Sequence, residues 1–356
     1  MDMEIEKKAK LVLLEAMEYG ASDVHFIPRE RGSIIRFRVD GRLLDVEKIP
    51  YATIKKLIAH LKFISGMDIG ERRRPQNQGL EMTLHQQLVF MRISTFPSST
   101  FETLVLRLFP QKQSKSLKQL SLFPSQITEL HRLIEKPHGL IIVCGPTGAG
   151  KTTTLYSLLQ KRTENINENI ITLEDPVEQR QPHFLQMEIN EKAGVTYAAG
   201  LRSLLRHDPD LIMLGEVRDT ETAHMAIRTA LTGHLVLTTL HSSSAKGALK
   251  RLNDLGVSNS DLKDVVQGVV AQKLVEVLCP FCGADCQLHC RKRRTRRRAA
   301  IYELLVKDDL QECLDHIDNL SNLTFPKKTL DDWTNKAIAL GYISKNEWNR
   351  YNKGGY

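Results

Sequence analysis

The sequence predicts an α/β protein whose larger part is a wound parallel sheet. One observation is a phosphate-binding loop. An apolar run of buried-strand length, Leu140 to Cys144, leads into Gly145-Pro146-Thr147-Gly148-Ala149-Gly150-Lys151-Thr152-Thr153 and then a helix-compatible segment. This fits G-x-x-x-x-G-K-[ST] in the strand–loop–helix setting that gives the pattern its meaning. A second observation is that apolar runs at 140–144, 169–173, 211–214 and 235–240 are separated by helix-length segments, as parallel strands joined by crossovers are. The third concerns the residues just after those runs. Carboxylates come after the second and third and a histidine after the fourth, at the strand ends where ligands gather in such sheets.

Composition sets the outer limits. At 356 residues the chain has room for two or three domains, and 41% apolar with 26% charged residues is ordinary for a globular protein. No window approaches 18 uncharged apolar residues, so no membrane span is expected. The N-terminus is mixed in charge and amphipathic, unlike a signal peptide, so a cytoplasmic chain with reduced cysteines is expected. Most of the net charge of +8 comes from one run, Arg291-Lys-Arg-Arg-Thr-Arg-Arg-Arg298, which holds seven cations. Charge so local does not by itself indicate a nucleic-acid surface.

Residues 1–109 read as a small α/β domain. A helix is expected over 4–19. Ile34–Val39 alternates as a strand and ends in the hairpin signal Asp40-Gly41. Ile54, Leu57, Ile58 and Leu61 make a helical stripe, and strands return at 88–95 and 103–109. Residues 110–137, with prolines at 110, 124 and 137, read as a hinge followed by one helix. A core carrying the phosphate loop is expected over 138–275, a cysteine knuckle with the basic run over 276–299, and 300–356 is expected to be helical, beginning with Ala300–Leu305.

Chemistry follows from position. The loop glycines let successive N–H groups face phosphate oxygens, Lys151 reaches the β- and γ-phosphates, and the Thr152 hydroxyl binds Mg²⁺. The acidic partner for that metal is Asp210 or Glu216. Asp210 begins its strand, roughly 20 Å from the phosphate end at the rise of a strand, so Glu216 is chosen. For the carboxylate that activates water, Glu174, Asp175 and Glu178 compete, and spacing does not choose among them. Cys144 and Cys313 stand alone and read as core residues.

These motifs resemble the secretion ATPases of type II secretion, type IV pilus and competence-pseudopilus systems, a RecA-like P-loop family. Ala21-Ser-Asp-Val-His25, Arg38-Val-Asp-Gly41 and Arg74-Pro-Gln76 are similar to its N-terminal motifs. Gly145–Tyr156 matches its Walker A and Thr172–Glu178 its Asp box. Leu205–Asp210 with Gly215–Asp219 matches its Walker B, and Thr232-Gly-His234 to His241 its His box. The resemblance implies a RecA-like core behind an N-terminal PAS-like α/β domain. It implies Glu178 as general base with Asp175 supporting it, Glu216 in the Mg²⁺ shell, and His234 and His241 relaying the γ-phosphate state. It implies a homo-hexamer in which arginines act in trans, with Arg92 and Arg107, or Arg202 and Arg206, as candidates.

Two departures stand out. The chain has no counterpart of the extra N-terminal domain of larger members, so docking by other means is expected. The family pattern also has Gly-Glu where this chain has Phe101-Glu102. Cys279-Pro-Phe-Cys282 resembles half a zinc ribbon of the kind assembly-type members carry. With Cys286 and Cys290 it offers four thiolates for a structural Zn²⁺, which leaves no open coordination position. Small size and the compact knuckle point to the competence-pseudopilus (ComG-type) assembly branch. The expected cofactors are ATP, Mg²⁺ and Zn²⁺. The expected partners are a polytopic inner-membrane platform protein and, through Arg291–Arg298, the lipid of the inner leaflet, without direct DNA binding. Two other functions fit the same motifs: a RecA-like nucleic-acid translocase, and a nucleotide-gated scaffold with little turnover.

Overall fold

A computed structural model describes residues 3–111, 115–164, 168–284, 286, 288–294, 297–317 and 328–346. The chain divides into two compact units, one of residues 1–112 with 285–297, the other of residues 113–284 with 298–355.

The N-terminal unit carries α1 (Met3–Tyr19), β1 (Asp23–Ile27), β2 (Ser33–Val39), β3 (Arg42–Ile49), α2 (Tyr51–Ile64), β4 (Gln76–Leu84), β5 (Gln87–Pro97) and β6 (Glu102–Pro110). Its sheet runs β3-β2-β1-β6-β5-β4, with every pairing antiparallel. Alternation decides which face is covered. Val24, Phe26, Ile35, Phe37, Ile93 and Leu106 join Val12, Leu13, Leu57 and Leu61 of the two helices in one core. Asp40 and Gly41 take φ of 52° and 83° in the two-residue turn that pairs Val39 with Arg42, the conformation a tight hairpin needs.

In the second unit the chain passes through α3 (Pro124–Ile134), β7 (Gly139–Cys144), α4 (Lys151–Thr163), β8 (Ile170–Glu174) and β9 (Leu185–Glu188). It continues through α5 (Tyr197–Leu204), β10 (Leu211–Leu214), α6 (Thr220–Leu231), β11 (Leu235–Leu240), α7 (Ala245–Asp254), α8 (Asn259–Val265) and β12 (Val266–Glu276). After α9 (Leu288–Arg293), which belongs to the first unit, come β13 (Arg298–Leu305), α10 (Lys307–Asp315) and α11 (Leu330–Ala339). The sheet order is β13-β12-β7-β11-β10-β8-β9, parallel throughout except for β13.

Both faces of this sheet are covered. Leu140, Ile142 and Cys144 face a core built with α5, α6, α7, α8 and α10, while Ile141 and Val143 face one built with α3 and α4. A strand buried on both faces reads as an unbroken apolar run. Burying each such side chain contributes about 1.5–3 kcal/mol, which fixes the register of the loop that follows.

Two expectations are corrected here. Ala300–Leu305 is not helical: it forms β13, antiparallel to β12. A short apolar run fits a strand or a helix by periodicity, and the edge of β12 offered it backbone partners. The expected helix over 329–351 ends at Ala339, and its last part lies outside the described residues.

The basic run is corrected as well. Arg291 and Arg297 are not free cations. Both reach the buried Asp40 carboxylate at 3.3 Å, and Arg297 also donates to Tyr19 O at 2.7 Å. Lys292 pairs with Glu18 and lies 4.2 Å from the centre of the Tyr19 ring. Thr295 and Arg296 lie outside the described residues.

Candidate functional site

The phosphate loop leaves the end of β7, between β12 and β11. Gly145 has φ of 154°, and a Cβ there would come within 2.5 Å of Gln272 O. Gly150, at φ of 86°, caps α4 in the left-handed region, so a side chain would be strained there. Gln272 of β12 braces the loop by donating to Ala149 O at 2.6 Å while accepting from Thr154 Oγ1 at 2.8 Å. Lys151 folds back onto the loop, its Nζ 2.8 Å from Gly145 O and 3.2 Å from Pro146 O. Burial pulls its pKa below the ordinary lysine value, and the Glu216 carboxylate pushes it back up. An ammonium in that state gains when phosphate oxygens replace neutral carbonyls. Thr152 is half-buried beside it and Thr153 is exposed.

Around this loop the strand ends bring together one charged cluster. Glu216, two residues past β10, accepts from Arg218 Nε at 2.9 Å and contacts His241 Nε2 at 3.1 Å. Arg218 also reaches Asp175 at 3.6 Å. Arg218 was not singled out in the sequence, although it lies within the stretch matching Walker B. Tyr197, also not singled out, opens α5 close to the same charges. Burial first, then Asp175, raises the pKa of its hydroxyl above 10. Asp210 stands at the other end of β10, accepting from Asn169 N at 2.8 Å, as its position at the strand start predicted.

Spacing left three carboxylates after β8 open, and the structure gives them different surroundings. Glu174 is only 3% exposed. One of its oxygens takes Thr172 Oγ1 at 2.6 Å and Gln186 Nε2 at 3.0 Å, and the other takes the Tyr156 hydroxyl. Those donors occupy both oxygens, so Glu174 ties β8, β9 and α4 together. Asp175 is exposed and held by Arg218. Glu178 is half-buried on the following turn, and its charge helps raise the pKa of Tyr156 on α4, after burial and Glu174.

His234 does not join them. It precedes β11, with Nδ1 at 3.1 Å from Thr232 Oγ1 and 3.2 Å from Thr229 O, and its carbonyl accepts from Gly139 N at 3.0 Å. The length of β11 separates it from His241, about 20 Å at the rise of a strand. His234 therefore stands at the end of β11 away from this chain's own phosphate loop, and His241 at the loop's end.

The arginine candidates spread over both units. Arg107 Nε is 2.8 Å from Asp23, and Arg38 Nε is 3.8 Å from it. Arg92 pairs across the sheet with Arg107 and is exposed, with no ion-pair partner among the described residues. Arg202 pairs with Glu221 at 3.1 Å on the surface. Arg206 lies in the turn leading to the start of β10 and is exposed.

The four cysteines cluster locally. The sulfurs of Cys279, Cys282, Cys286 and Cys290 lie within 4.8 Å of one another. A tetrahedral Zn–S site spaces its sulfurs about 3.8 Å apart, so modest closure fits the ion. Cys279 and Gly283 exchange backbone hydrogen bonds at 3.2 and 2.9 Å, and Gly283 turns the knuckle at φ of 66°. Arg294 stands 3.8 Å from Cys286 Sγ, a cation placed to favour thiolate. Four protein ligands leave no position for substrate, so zinc here would hold structure.

Residues 2–350 match the family described as "Type II/IV secretion system protein". The chain is 48% identical to competence protein ComGA of Bacillus subtilis (strain 168) over 348 residues, 98% of each chain. It is 44% identical to competence protein ComGA of Halalkalibacterium halodurans, covering 96% of this chain and 97% of that one. Among solved structures, the pilus retraction motor PilT with bound ADP superimposes with a TM-score of 0.71 at 26% identity, covering 95% of both chains.

Proposed function

Because the chain belongs to the type II/IV secretion system protein family, an ATPase family, we propose that it is the motor that assembles a competence pseudopilus. The observation that carries this reading is the 48% identity to a competence protein over 98% of both chains. The strand-end cluster supplies the chemistry.

In this reading the loop amides and Lys151 hold the phosphates of ATP. Thr152 and Glu216 would hold Mg²⁺, which would supply positive charge beside the γ-phosphate. Glu178 orients and deprotonates the attacking water. Glu174, only 3% exposed and hydrogen-bonded by Tyr156, Thr172 and Gln186, suits a structural role better. Asp175 and Arg218 fix the Glu216 carboxylate, and His241 touches its other oxygen, so a change at the γ-phosphate alters the end of β11. The chain works as a homo-hexamer, and Arg92, exposed and without an ion-pair partner among the described residues, is the cation offered to a neighbour's nucleotide. Arg107 supports it across the sheet and is anchored by Asp23.

The ring docks on a polytopic membrane protein of the pilus machine and so sits on the cytoplasmic side of that membrane. Lipid contact through Arg291–Arg298 is not part of the proposal, since Arg291 and Arg297 are spent on Asp40. Four thiolates at Cys279, Cys282, Cys286 and Cys290 hold one structural Zn²⁺.

Deleting the gene and complementing it tests the function. The intact chain should restore pseudopilus assembly and DNA uptake, and Lys151→Ala should restore neither. Full uptake with the Lys151→Ala chain would refute the motor.

A further inference from the structure

The N-terminal unit contains a cavity of about 250 Å³ that uses no residue of the phosphate loop or its carboxylates. Pro28, Ile58, Ala59 and Ile69 give it apolar lining, Tyr51 and Phe101 aromatic lining, and Lys55, Arg72 and Arg73 positive charge.

Charge in this lining is one-sided. Lys62 and Glu102 also line it, but they neutralise each other in a buried pair at 2.8 Å, with 1% and 8% of their side chains exposed. Lys62 spends a further donor on Glu71 O at 2.6 Å. Of the charged residues lining the cavity, Lys55, Arg72 and Arg73 remain beside that neutral pair, so the lining is net positive. The Glu71 carboxylate of the neighbouring loop accepts from Arg73 N at 2.6 Å and offsets part of that charge. Tyr51 opens α2, whose first turn has neither a side-chain cap nor an acidic residue, so the helix dipole adds to the same sign.

Two aromatic rings line the cavity: Phe101 packs on Tyr51 with centroids 5.3 Å apart. Ser98 closes the loop beneath it, accepting from Phe101 N at 3.1 Å and donating to Phe101 O at 2.6 Å. Ser99 and Thr100 add hydroxyls to the lining. Apolar lining, an aromatic pair and two arginines together suit a planar body carrying a dianionic group, because guanidinium groups pair with phosphate in bidentate fashion.

We propose that this cavity binds a small phosphomonoester with a planar body, the phosphate held by Arg72, Arg73 and Lys55 and the plane packed on Phe101. Phenyl phosphate is the probe, titrated by calorimetry into the full chain with the phosphate loop saturated by ADP and Mg²⁺. One binding event per chain is expected, tighter than that of inorganic phosphate in the same buffer. Replacing both Arg72→Gln and Arg73→Gln, on exposed positions, should weaken it at least ~10-fold without lowering the unfolding temperature. Phe101→Gly should remove the advantage of phenyl phosphate over inorganic phosphate. No binding once ADP fills the loop would overturn the proposal, as would affinity unchanged in the arginine variant. Equal affinity for both probes would also overturn it.

Discussion

Arg218 donates to Glu216 at 2.9 Å and reaches back to Asp175 at 3.6 Å, so one guanidinium joins the carboxylates that follow two different strands. Its side chain is 60% exposed, so as an ion pair it contributes little to stability. Its consequence is positional: without it the Glu216 carboxylate loses the contact that sets its direction. Arg218→Gln should leave the unfolding temperature nearly unchanged and lower ATP turnover at least ~10-fold, the scale of losing one aimed charge. Steady-state kinetics checks this. Unaltered turnover would reduce Arg218 to a surface contact.

Glu174 and Glu178 should separate cleanly. Glu178→Gln should still bind ATP and turn it over ~10²-fold more slowly, as expected when a positioned base is lost. Glu174→Ala should instead cost about 1–3 kcal/mol of stability, because Tyr156, Thr172 and Gln186 lose a buried acceptor. Denaturant unfolding and single-turnover hydrolysis distinguish the two outcomes.

A pH dependence arises from Glu174. Burial holds its pKa above the ordinary 4.5, so the folded state keeps this proton more tightly than the unfolded state. Its contribution is full below the unfolded value and is lost as pH rises through the folded one. Glu174→Gln should flatten the stability profile just above pH 4.5 and leave it unchanged at lower pH. Urea midpoints measured across that range test the sign.

Asp40 anchors the segment that carries Arg291 and Arg297. Asp40→Ala leaves a nearly buried guanidinium without its carboxylate, and breaking such a pair costs about 3–5 kcal/mol. The loss should appear as a lower urea midpoint. Gly41→Ala would be an ambiguous test, since it strains the turn instead.

Zinc is checked by metal analysis of protein purified without chelator. About one ion per chain is expected, and less in Cys282→Ser. A content near zero from metal-replete, reducing preparations would remove the knuckle assignment.

The features legible in the sequence were mostly local. The phosphate loop and Glu216 were legible because a strand run fixes which end its followers occupy, and Asp40-Gly41 was legible because the hairpin turn needs those residue types. β12 and β13 were not. Gln267, Gly268 and Gln272 interrupt the first, and the second is too short for its period to separate strand from helix. The engagement of Arg291 with Asp40 joins residues about 250 positions apart, which no local pattern carries. The single buried carboxylate of Asp40 engages two of the seven clustered cations. Arg218 lay beside a recognised motif, but its geometric role needed Asp175 from another strand. His234 was paired with His241 by motif, although the strand between them puts them at opposite ends of the sheet.

The central claim is that this chain hydrolyses ATP at the loop Gly145–Thr152. Mg²⁺-dependent phosphate release by the purified full chain, compared with Lys151→Ala, tests it most directly. The account predicts turnover in the first and none above background in the second, with both chains unfolding at the same temperature. Equal phosphate release by the two would contradict it.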